Sequence, residues 1–117
     1  MGFILFIIAS ILKLVIGIIA YIFGAINSLF NRQWNSWHFD LAQAKDQYGN
    51  ALCKYFFNVL LITKEGYPFG NIDETISSVL GKNKAKNTLT LTGKFIAWVL
   101  DKLEKNHVEN AIDNTIL

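Results

Sequence analysis

The residues from Gly2 to Phe30 constrain this chain most. They read GFILFIIASILKLVIGIIAYIFGAINSLF, and between Phe3 and Ile26 the single charge is Lys13. About 20 apolar residues in a helix cross the hydrocarbon core of a bilayer, and this run is longer. A helix is also the form in which one segment satisfies all its own backbone groups in lipid. Arg32, Trp34 and Trp37 follow directly, as an interfacial belt does. The expectation is a single transmembrane anchor over residues 1–30 and a small helical domain over 31–117.

Two alternatives lack their marks. A secretory signal needs a basic start, a shorter apolar core and a small-residue cleavage site. Myristoylation needs Ser or Thr where this chain has Phe6. A buried core helix inside a large assembly remains the rival. Lys13 is costly at membrane depth, but its long stem lets the ammonium snorkel to an interface. Ser10, Gly17 and Gly24 recur every seven residues, and Ala20 and Gly24 form a small-xxx-small pair. Such a stripe lets helices approach closely in lipid, so Ser10, Gly17, Ala20 and Gly24 are candidates for self-association. Arg32 and Lys45 beyond the helix place the C-terminal domain on the cytoplasmic or interior side by the positive-inside rule.

Composition narrows the function classes. Hydrophobic residues are 52% and charged residues 17% of 117 residues, which excludes a disordered tail. One cysteine, Cys53, excludes an internal disulfide framework. A net charge of +2 is too small for a dedicated nucleic-acid binder.

Beyond Asn31 the pattern is helical. Asp40 with Gln43 fits a capping box, and Leu41, Ala44, Tyr48, Leu52, Tyr55, Val59 and Ile62 form a stripe that predicts one helix to about Thr63. Gly49 interrupts it, as close packing or a break. Lys64 to Gly70 is turn-rich. Asn71 with Glu74 predicts a second cap, with Gly81 as the stop. Lys82, Lys84 and Lys86 then fall in a basic loop and are candidate contacts for anionic headgroups. Thr88 to Thr92 alternates like a strand but reads as a lead-in to a helix carrying Phe95, Ile96, Val99, Leu100 and Leu103. Asp101 and Lys105 are an i,i+4 pair, and Asn106 with Glu109 can cap a last short helix. The expected fold is all-α: one long hydrophobic helix, then three or four short ones.

Catalytic signatures are missing. Ser77, Ser78, Asp73 and His107 supply the residue types of a hydrolase triad without a nucleophile elbow. Asp73, Glu74 and His107 could jointly hold a metal, though acids in a first helical turn are ordinary. No cofactor motif is present. Cys53 reads as an inert helical thiol, and His38 as an amphipathic belt residue.

The run from Asn71 to Ser78, followed by Gly81 and Lys82, resembles a DETISS…GK signature in small proteins of bacteriophages and prophages. Asp46 to Leu52 is similar to a stretch that precedes that signature, and Leu100, Asp101, His107, Ala111 and Ile112 match its closing pattern. The resemblance covers Asp46 to Ile112. The chain departs in carrying lysines where an Arg-rich segment is usual and Val108 where cysteine is frequent. The resemblance implies a phage setting and carries no activity with it. Asp73, Glu74, Thr75, Ser77, Ser78 and His107 read as a structural cap-and-pin device, in which Asp73 and Glu74 occupy the first helical turn and His107 pins the last helix by reaching those acids. The expected function is therefore non-enzymatic: a membrane-anchored structural or genome-delivery component of a virion, with the bilayer and other virion or membrane subunits as partners. The alternative is a holin-like lysis effector of the host inner membrane.

Overall fold

The computed structural model describes residues 1–115. It is all-α, with α1 (Gly2–Phe30), α2 (Trp34–Leu52), α3 (Lys54–Leu60), α4 (Ile76–Lys86), α5 (Leu91–Leu103) and α6 (His107–Asn110). Among the described residues the only strand-like pairing is an isolated bridge between Ile62 and Leu89. The chain forms two compact units, Met1–Asp40 and the residues from Leu41 onward, so the boundary falls within α2.

The first unit holds a helix of 29 residues whose apolar side chains are exposed along its length. Among the described residues, one helix is thus long and apolar enough to cross a membrane. At Arg32 the backbone turns left-handed, with φ 58°. α2 then begins at Trp34, earlier than the expected cap at Asp40, which lies inside the helix. The reason is aromatic packing within this unit. Trp37 stacks on Tyr21 of α1 with centroids 5.6 Å apart, and Tyr21 Oη and His38 Nε2 are 2.9 Å apart. These contacts fix the helical conformation of the residues ahead of Asp40.

In the second unit the expected single helix to Thr63 is broken at Cys53 into α2 and α3. Its supposed core stripe is mostly outside: Ala44, Tyr48, Leu52, Tyr55 and Val59 are exposed, and of the seven only Ile62 is fully buried. The core is instead Leu61, Ile62, Phe69, Val79, Leu80, Leu89, Ala97 and Val108, gathered from the loop after α3, from α4, from α5 and from α6. Periodicity located the apolar residues of α2 and α3 but not the side they face, because the inward positions are taken by asparagines.

α4 starts at Ile76, not near Asn71. Its cap is Thr75, whose hydroxyl accepts from Ser78 N at 3.0 Å, and it runs past Gly81 to a left-handed Asn87. Lys82, Lys84 and Lys86 are therefore helical, not in a loop. Gly81 serves close approach: a Cβ there would lie 2.0 Å from the Val108 carbonyl oxygen. Gly93 does the same for α5, where a Cβ would come within 2.2 Å of the Leu61 carbonyl oxygen. α5 is capped by Thr90, which accepts from Gly93 N at 3.1 Å, so the Thr88 to Thr92 segment does lead into a helix. The expected cap at Asn106 is not made by its side chain; that residue instead turns left-handed, φ 57°.

Both glycine contacts are against backbone, which cannot rotate away. Gly81→Ala is expected to destabilise the second unit by about 1–3 kcal/mol through overpacking, with Gly2→Ala, where nothing lies within 4 Å, as a neutral control. Chemical unfolding followed by circular dichroism checks this; equal midpoints would contradict the α4–α6 contact.

Candidate functional site

The signature Asp73 to Ser78 lies where the loop after α3 enters α4. Its central group is the Glu74 carboxylate, which is fully buried. Oε1 accepts from Tyr67 Oη at 2.8 Å; Oε2 accepts from Ser78 Oγ at 2.6 Å and pairs with Lys82 Nζ at 2.6 Å. Ser78 Oγ accepts in turn from Asp113 N at 2.8 Å, so the same hydroxyl ties down the chain after α6. Lys82 Nζ also lies 4.5 Å from the Tyr67 ring centre. A buried carboxylate is tolerable only when its oxygens are paired, and here both are.

Three asparagines fasten the loop that carries this carboxylate. Asn58 accepts from Phe69 N at 2.7 Å and donates to Phe69 O at 3.1 Å. Asn83 accepts from Tyr67 N at 2.8 Å and donates to Tyr67 O at 2.9 Å. Asn50 accepts from Gly70 N at 2.9 Å and donates to Asn71 O and Glu74 O at 3.0 and 2.7 Å. Each amide supplies a donor and an acceptor, as a neighbouring strand would. Buried backbone groups without such partners carry a desolvation cost.

His107 reaches the signature through Ser77. Its Nε2 lies 3.1 Å from Ser77 Oγ, while Ser77 Oγ is 3.4 Å from Asp46 Oδ2. Asp46 Oδ1 also accepts from Ile76 N at 2.7 Å. The other imidazole nitrogen, Nδ1, is 3.5 Å from Glu104 Oε2. The Ser77 hydroxyl is thus buried between a carboxylate and an imidazole, joining α2, α4 and α6. Asp73 stands apart: it is exposed, and its N–H donates to Asn71 Oδ1. Asp73, Glu74 and His107 do not converge, and the described residues contain no cluster of three metal-ligating side chains.

Two of the three candidate headgroup lysines are ion-paired within the protein, and the third, Lys86, is exposed. Lys82 pairs with buried Glu74, and Lys84 pairs with Asp101 at 2.8 Å and with Glu109. Lys86 lies 5.7 Å from the Tyr67 ring centre. Asp101 takes Lys84 and the Val108 N–H in place of the expected Lys105 pairing. On α3 and α5, Lys54, Lys94 and Lys102 are exposed.

In the first unit, Gly24 is a seat for Trp37: a Cβ there would meet the indole at 2.5 Å. Gly17 is more open, with Lys13 Cγ at 3.8 Å, and Ser10 donates back to Phe6 O. Trp34 packs on His38, whose Nδ1 is 2.8 Å from Trp34 O. Cys53 is a half-buried free thiol at the break between α2 and α3.

Comparison of the chain with known protein families, curated proteins and solved structures gives no match.

The ionic groups shift in consistent directions. Burial pushes Tyr67 upward, and its hydrogen bond to Glu74 adds to this. Burial alone would lower Lys82, but the Glu74 pair outweighs it and the net shift is upward. Asp101 and Glu109 raise Lys84. For Asp101, burial pushes upward, yet the Lys84 pair and the Val108 N–H bring it below its ordinary value. A lowered carboxyl stabilises the fold above its unfolded value and loses that contribution as pH falls through the folded value. A raised lysine stabilises below its unfolded value and loses that contribution as pH rises through the folded one. The melting temperature of the second unit should therefore hold steady near neutrality. It should fall below the ordinary aspartate value of 3.8 and above the ordinary lysine value of 10.5. Asp101→Asn should lower the neutral plateau and flatten the acid limb. An unchanged acid limb in scanning calorimetry would contradict the pairing.

A second expectation concerns the amides. Asn50→Asp keeps the shape but removes both donated bonds and sets a carboxyl oxygen against two carbonyl oxygens, and should cost at least about 2–3 kcal/mol. Urea unfolding of the variant measures it.

Proposed function

We propose that the chain is a non-enzymatic, membrane-anchored component of a phage or viral system, structural or engaged in genome delivery. The observation that carries the reading is α1, a 29-residue apolar helix with its side chains exposed along its length. In water that surface would be an aggregation site; in a bilayer it is in its proper solvent. The phage setting rests on the resemblance of the Asn71 to Lys82 stretch.

A structural role is supported by how the polar groups of the second unit are used. Glu74, Ser78, Asn50, Asn58 and Asn83 spend their hydrogen bonds on the chain's own loop. Ser77 has its hydroxyl bonded on both sides. Such an arrangement holds a rigid domain beside a membrane, ready to pack against neighbouring subunits.

Quantitative mass spectrometry of purified particles and of host membranes from the native source tests the proposal. Enrichment at fixed copy number in the particle is the expected result. Presence in host membranes alone, with abrupt lysis on induced expression, would overturn it in favour of a holin-like effector.

A further inference from the structure

We infer that the outer face of α3 and α5 lies in the headgroup layer of an anionic bilayer, as a second membrane contact besides α1. The inference rests on the membrane anchoring proposed above and concerns the second unit alone.

The two helices are packed inside out relative to a protein surrounded by water. On α5 the residues turned inward are Gly93 and Ala97, while Leu91, Phe95, Trp98 and Leu103 face outward. Leu91 and Leu103 are more than four-fifths exposed, at 84% and 81%. On α3 no residue is fully buried; Tyr55, Phe56 and Val59 are outside while Phe57 and Asn58 turn partly inward. Single exposed apolar residues are ordinary on any protein, but a contiguous face of them marks a contact.

The two helices meet at their ends. Thr90 N donates to Leu61 O at 2.9 Å and Thr90 Oγ1 donates to Leu60 O at 2.7 Å, which places the start of α5 against the end of α3. Between them lies an open apolar groove of about 350 Å³, lined among others by Phe57, Leu60, Ile96 and Leu100.

Charge identifies the occupant. The outward charges of these helices are Lys54, Lys94 and Lys102, none of which makes an ion pair among the described residues. Their only acid, Asp101, faces Lys84 and Val108 N. Lys102 Nζ lies 5.3 Å from the Trp98 ring centre, and Lys54 Nζ 5.4 Å from that of Tyr55. Exposed aromatics with lysines whose stems run along an apolar surface are the composition of a helix lying in an anionic interface. A second copy of the same face would set these three lysines against one another, and like charges across an interface are unfavourable.

The anchor supplies proximity. α1 ends at Phe30 and α3 begins at Lys54, a connection that cannot exceed ~85 Å even if fully extended. A tethered face meets the surface at high effective concentration and needs little intrinsic affinity.

The test uses the full-length chain with Trp34→Phe and Trp37→Phe, which leaves Trp98 as the sole tryptophan. It is reconstituted into vesicles of phosphatidylglycerol and phosphatidylcholine carrying brominated acyl chains. Flotation reads the anchor independently, and circular dichroism confirms that the helices are retained. The expected result is floating protein whose Trp98 emission is blue-shifted, quenched by the brominated lipid and shielded from acrylamide. Adding Lys54→Gln, Lys94→Gln and Lys102→Gln should leave flotation intact while lowering the docked-to-undocked ratio by about five-fold per lysine. Floating protein with Trp98 open to acrylamide and untouched by bromine would overturn the inference and leave the anchor standing. Trp98 closed to both quenchers would also overturn it, because a protein surface then covers the face. Failure to float would remove the anchoring reading, and this inference with it.

Discussion

The second unit depends on one buried carboxylate. Glu74 sits where the loop after α3 becomes α4, and its two oxygens gather a phenol, a hydroxyl and an ammonium. Removing either partner of such a buried pair is far costlier than the pair is worth in net stability. The burial is affordable because the surrounding loop has already been fixed by Asn50, Asn58 and Asn83. The amides hold the backbone, the backbone positions Glu74, and Glu74 orients Lys82 and Ser78. Ser78 then reaches Asp113 beyond α6. A domain with a small apolar core obtains its definition from this polar network, which has few alternative arrangements.

The long helix was legible because it needs no tertiary information. Its length and composition alone identify it. The all-α class and the approximate places of α4, α5 and α6 were legible for similar reasons, and Thr90 marks its helix by local chemistry. Orientation was not legible. The Leu41 to Ile62 stripe has correct helical spacing, yet Tyr55 and Val59 face out while Asn50 is fully buried. Periodicity shows which residues share a face, and it is silent on what that face meets.

Glycines misled for a related reason. Gly81 has the composition of a helix stop, but the carbonyl of Val108 rests where its side chain would be. That demand comes from a residue 27 positions away and leaves no local trace. The signature is built differently from its local pattern. Glu74 and Asp73 precede the helix instead of filling its first turn, Thr75 is the cap, and His107 meets Ser77 and not these acids. The share taken by Asp46, Tyr67 and Lys82 was hidden, because they come from other turns of the chain.

The seat that Gly24 offers to Trp37 bears on how α1 can pair. In lipid, a glycine on a small-residue stripe is ordinarily vacant until another helix fills it. Here an indole from the same chain already occupies it. A second copy approaching at that level must first evict Trp37 and break its stacking on Tyr21. Pairing through Gly24 and closure of the aromatic contact are therefore mutually exclusive. Ser10, Gly17 and Ala20 carry no such cover from the indole.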